Sequence, residues 1–359
     1  MTRLLLLLLA ALGVAPVGAA QEPRLYVANQ DDATVSIVDV ASLKVVETLD
    51  LAGLGFGPNA KPHHAQVEPD GRFWYLTMIG AGKVVKFDRA NRVVGSVALE
   101  VPGLLSLDPT SDRLIVGRSM SAVSPPKRIA VIRRSDMTLL EEYEVFFPRP
   151  HALVVDPRGG HAFVASLGTN QLASVRLADG ESSLVDYEGG PQTFTQFAAS
   201  PDGRWLAVSA QSANQVLVYD IREPARPVLA RAIPMAKGPF EPVFTHDGRT
   251  LFVTNLEANV VTAVDVGTWS VAGIIESPGF GQPHGVALSA DGRYLFVSNR
   301  HQSGGAHDHE GHKATAKGTL VAICIPTRTA EVVLSVGNYA AGLGIAAPRT
   351  PPSTPASCR

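Results

Sequence analysis

Apolar residues in this chain come in short bursts of five or six, set apart by tight polar turns rather than spread in helical stripes. One unit recurs: an apolar run, an Asp-Gly type turn, and a second apolar run ending near Ser or Asn. It reads HAQVEPDGRFWYLTM, LLSLDPTSDRLIVGRS, ALVVDPRGGHAFVAS, QFAASPDGRWLAVSA, PVFTHDGRTLFVTN and GVALSADGRYLFVSN. A third run and often a fourth follow, as in NVVTAVDVGTWSVAGIIE with its turn at Gly267. Alternation over such lengths predicts β-strands, and Asp, Asn and Gly supply the positive φ of hairpin turns. The turns fall at Gly71, Asp112, Gly159, Gly203, Gly248 and Gly292, so successive units lie 41, 47, 44, 45 and 44 residues apart. That period suits one four-stranded propeller blade.

The ends supply a seventh blade. RLYVANQDDATVSIVDVASLKVVETLDL begins with a second-strand pattern, whereas NYAAGLGIAAP is a first strand without successors. Joined, they close the ring and remove an open sheet edge. The expected fold is all-β, a seven-bladed propeller of four-stranded antiparallel blades over residues 21–347. The endings YVAN, FVTN and FVSN, with the runs that follow, resemble the YVTN (YncE-like) family of β-propellers across nearly the whole chain. The resemblance implies the fold; it does not select a function, since one architecture hosts many.

Residues 1–20, MTRLLLLLLAALGVAPVGAA, read as a secretory signal: Arg3, an apolar stretch too short to span a bilayer, then small residues before Gln21. The chain is expected to be periplasmic or secreted, with no later membrane span. Residues 348–359 read as a disordered Pro/Ser/Thr-rich tail. Cys324 and Cys358 are the two cysteines among 359 residues; an oxidising compartment permits a bridge, but the sequence leaves their pairing open. A formal net charge of −2 without basic or acidic runs argues against nucleic acid as a partner. A periplasmic protein or a small ligand remains.

The candidate chemistry lies in histidine. Eight residues before the turn glycines 71, 159 and 292 stand His63, His151 and His284, each after a proline (Pro62, Pro150, Pro283). The other units carry Gly103 or Leu104, Thr195, and Phe240 beside Glu241 at this station, and Thr195 and Glu241 are expected to contact a bound ligand. Residues just before a blade's first strand ring one mouth of the central channel, so three imidazoles are expected there. Neutral imidazoles are common ligands of copper and zinc. His64 lacks a counterpart in the repeat; in a regular strand it would point away from His63. The segment NRHQSGGAHDHEGHKATAKG places His301, His307, His309 and His312 in a loop on the same end, and its composition favours metal. Structural use at the channel mouth is the competing reading for the strand histidines, and a flexible polar insertion is that for the loop.

PHGVALSADGRYLFVSN and the paired histidines also resemble the N-terminal propeller of nitrous oxide reductase. The match covers His63, His64 and His284, with His151 looser. That resemblance implies copper, but no cupredoxin domain or cysteine-rich copper motif follows. A further resemblance, to haem-binding propellers of nitrite-reductase type, implies one axial histidine. Resemblance to seven-bladed lactonases would pair Glu241 with His284 to act on an ester. A pure interaction scaffold is the third reading.

Overall fold

The computed structural model describes residues 23–118, 124–302, 316–346 and 357–358. Among these residues, twenty-eight strands form seven four-stranded antiparallel sheets. Blade two is typical: Pro62–Val67 lies innermost, followed outward by Phe73–Met78, Lys83–Asp88 and Val93–Ala98. The other innermost strands are Pro102–Leu107, Pro150–Val155, Phe194–Ala199, Pro239–Phe244 and Pro283–Leu288 in blades three to seven. Blade one is closed by the chain's two ends. Ala340–Ile345 forms its innermost strand and pairs with Arg24–Asn29, which continues to Thr34–Asp39 and Lys44–Asp50. Innermost strands of neighbouring blades touch in cyclic order, which closes the ring.

Burial explains why alternation fades in the middle strands. Trp205–Ala210 and Gln215–Asp220 are buried almost throughout, while the outermost strand Val228–Pro234 is mostly exposed. A blade presses both faces on its neighbours, so middle strands need apolar groups on both sides. Seven apolar clusters fill the seven gaps between blades. Between blades one and two, Tyr26, Trp74 and Phe87 stack with centroids 4.3 and 4.2 Å apart. Each such buried side chain contributes roughly 1.5–3 kcal/mol.

The turn glycines 71, 159, 203, 248 and 292 all have positive φ, between 67 and 78°. A second set of left-handed residues stands at the opposite end. Lys61, Val101, Arg149, Thr193, Gln282 and Tyr339 have φ of 39–56°, and Gly238 has 70°. Each immediately precedes an innermost strand, and it is this bend that turns the chain down the channel.

Cys324 and Cys358 form a disulfide, Cα–Cα 5.9 Å, closing a loop of sequence separation 34. Cys324 belongs to blade seven, and the loop contains Ala340–Ile345, the strand that completes blade one. The covalent link therefore holds the closing strand beside the blade it follows. Apart from Ser357 and Cys358, the tail expected to be disordered lies outside the described residues, as do residues 1–22.

Candidate functional site

The prolines that open five innermost strands place the next residue at a bulge. In blade two Pro62 pairs with Met78 and His64 with Thr77, so His63 is the extra residue. Blade four repeats this, with His151 between the paired Pro150 and Ala152. In blade seven the register shifts between Pro283 and Val286, around His284. A bulge re-aims side chains that strict alternation would oppose.

His63, His151 and His284 are 4–5 % exposed. The rings of His63 and His151 meet edge to face, centroids 5.8 Å apart, across blade three, where the station holds Gly103 and offers no side chain. His151 Nδ1 lies 3.0 Å from the Thr195 carbonyl oxygen. Since a carbonyl only accepts, Nδ1 carries the proton and the lone pair is on Nε2. Burial pushes the His151 imidazole down to about 4, with the Thr195 carbonyl opposing weakly; the ring is neutral at pH 7. His284 stands against Phe240 at 4.4 Å and Tyr339 at 6.4 Å. Tyr339 in turn accepts from the buried Arg300 at 2.6 Å.

Threonine hydroxyls tie the mouth together, Thr195 from an innermost strand and Thr254 from the strand next to one. Thr195 Oγ1 donates to the Phe240 carbonyl (3.0 Å), and Thr254 Oγ1 lies 3.3 Å from the His284 carbonyl. Where blade three has Gly117 instead, an added Cβ would fall 2.8 Å from the Pro150 carbonyl, so the blades meet backbone to backbone. Thr195, expected as a ligand-binding residue, is buried and engaged in these links.

His64, which has no counterpart in the repeat, lines the channel itself. It borders a cavity of 280 Å³ together with Gln66, Gln196 and Glu241. The Leu105 N–H approaches His64 Nδ1 at 3.4 Å, which leaves Nε2 as the N–H donor of the neutral ring. Burial, and secondarily His151, hold this imidazole down to about 4. Glu241 shows the opposite shift for the same reason: burial raises its carboxyl to about 8, against a hydrogen bond from the Val286 N–H. Its Oε2 is buried without a hydrogen-bond partner.

His301 is half-buried and spent on packing. Its Nε2 meets Thr319 Oγ1 at 3.0 Å, and its ring fills the space beside Gly281, where a Cβ would come within 2.1 Å of Nδ1. His307, His309 and His312 lie outside the described residues. Among the described residues, the one group of three His, Cys or acidic ligand atoms within 4.8 Å of one another is Cys324, Glu331 and Cys358, and its sulfurs are consumed by the disulfide. Of the expected ring of three histidines, His63 and His151 form a facing pair, and His284 packs against Phe240 and Tyr339.

Fold and site define a seven-bladed β-propeller with imidazoles at one channel mouth and a carboxyl inside. No family model and no curated protein matches the chain. Solved structures match in fold. A functionally unknown protein from Desulfotomaculum acetoxidans DSM 771 superposes with TM-score 0.72 at 16 % identity, over 90 % of this chain and 99 % of that one. The dihydro-haem d1 dehydrogenase NirN in complex with DHE gives 0.59 at 17 %, over 93 % and 78 %. Hydrazine synthase of Kuenenia stuttgartiensis gives 0.63 at 20 %, over 79 % and 89 %. At such identities the likeness is one of architecture.

Proposed function

We propose that this chain is an exported β-propeller that binds a transition-metal ion, copper or zinc, at its histidine-lined mouth. The observation that carries the reading is the facing pair His63 and His151, with His151 Nδ1–H held by the Thr195 carbonyl. A second hydrogen bond of that kind fixes the tautomer and orientation of metal-binding imidazoles. The low pKa of His151 keeps the ring in its ligand form well below neutral pH. Two protein donors leave positions for solvent or an added ligand, and a bound ion would supply a Lewis-acid centre there. The signal-like residues 1–20 and the Cys324–Cys358 disulfide support export.

Haem is the second reading, favoured by the fold neighbour that is in complex with DHE. A His151 ring with its lone pair on Nε2 would serve as one axial ligand. Metal analysis of untagged protein, as purified and after chelation and reloading, tests the first reading; absorbance titration with haemin tests the second. The proposal expects one copper or zinc per chain, lost in the His63→Ala/His151→Ala double variant while the fold persists. Metal-free protein that takes up neither ion on reloading would overturn it and leave an interaction scaffold.

A further inference from the structure

The cavity inside the ring has a chemistry distinct from that of the mouth. Aliphatic residues such as Val154 and Val243 border it, and its polar lining includes Gln66, Gln196, His64 and Glu241. No lysine or arginine appears among the described lining residues. An anion entering this space would find no positive side chain and one acid. A cation would find a carboxylate and two carboxamide oxygens, in surroundings where charge pairing is strong.

We propose that the channel binds a monovalent organic cation of the alkylammonium class, with the Glu241 carboxylate as counter-ion and the half-buried Val154 and Val243 side chains against its alkyl groups. The cavity of 280 Å³ accommodates a small molecule of this kind. The site is independent of the metal reading, which rests on the mouth.

Ligand binding and protonation of Glu241 then compete. The strands packed against its own are Phe194–Ala199, Trp205–Ala210, Thr250–Asn255 and Pro283–Leu288. Their only titratable residue is His284; His64 also lines the cavity, and His151 lies near His64. No fixed positive charge stands by the carboxyl, so the empty channel keeps it protonated near neutral pH, its pKa being about 8. A bound cation expels that proton. Apparent affinity scales with the ionised fraction, so it rises about tenfold per pH unit from pH 6 to 7.5 and levels off above pH 8.

Isothermal titration of the exported chain with choline, whose charge is permanent, and with its uncharged isostere 3,3-dimethylbutan-1-ol tests this. Choline is expected to bind with that pH dependence and to release close to one proton at pH 7, read from buffers of different ionisation enthalpy. The isostere is expected to bind more weakly and independently of pH. Glu241→Gln is expected to lose at least tenfold in choline affinity at pH 8 and to flatten the profile. His63→Ala/His151→Ala is expected to retain choline binding, so loss of the metal and loss of the cation are separable. Absence of choline binding at pH 8, equal binding of the isostere, or unchanged binding by Glu241→Gln would each overturn the proposal.

Discussion

Replacing Glu241 by Gln keeps the shape of the side chain and removes its proton equilibrium. In the unfolded chain the carboxyl titrates near 4.5; in the folded channel burial lifts it to about 8. Between these values the folded protein holds a proton that the unfolded chain has shed. Folding therefore takes up a proton, and stability falls as pH rises through this window, then levels above pH 8. At 1.36 kcal/mol per pH unit, the interval amounts to about 4–5 kcal/mol as a ceiling. That is a large part of a typical stability of about 5–15 kcal/mol. Glutamine carries no such term. Urea unfolding at pH 5, 7 and 8.5, followed by fluorescence of Trp74, Trp205 and Trp269, measures both proteins. Glu241→Gln should be close to the parent at pH 5 and more stable than it by about 3–5 kcal/mol at pH 8.5. A difference constant across pH within about 0.5 kcal/mol would mean that Glu241 is already ionised in the folded channel, and the reasoning would fail.

Other changes probe the ring. Reducing the disulfide, or Cys358→Ser, frees a loop of sequence separation 34 and should cost about 4 kcal/mol, read as a lower unfolding midpoint; an unchanged midpoint under reductant would show that the link adds nothing to closure. Gly342→Ala puts a Cβ 2.6 Å from the His63 carbonyl and 2.8 Å from the His64 Cα. It should cost roughly 1–3 kcal/mol or more by the same assay, and a neutral result would refute the close approach of blades one and two. Thr254→Val removes the hydroxyl that receives the Glu241 N–H at 2.9 Å and reaches the His284 carbonyl. A loss of about 1–3 kcal/mol is expected, checked by denaturant unfolding; a neutral result would show that this link does not hold blades six and seven.

The blade count was legible because every hairpin needs a positive φ at its turn, and glycine at 71, 159, 203, 248 and 292 marks it. Closure was legible because a first strand and its three partners were missing from opposite ends, and Ala340–Ile345 indeed pairs with Arg24–Asn29. The mouth was legible only as a register. The eight-residue offset found His63, His151 and His284 at one station, but not the bulge that turns His63 toward His151 and leaves His64 on the channel. That bulge follows a left-handed residue before proline, at Lys61, Val101, Arg149 and Gln282. A residue before proline ordinarily reads as extended chain, so local propensity pointed elsewhere. The partner of Cys324 was hidden because Cys358 lies beyond a proline-rich stretch whose path no local pattern fixes.

The central claim is that the imidazole pair at the channel mouth holds a metal ion. Metal content per chain, determined by mass spectrometry on untagged protein reloaded with copper or zinc after chelation, tests it most directly. The account predicts one ion per chain for the parent and none for His63→Ala/His151→Ala at equal folded fraction; equal uptake by both proteins, or none by either, would contradict it.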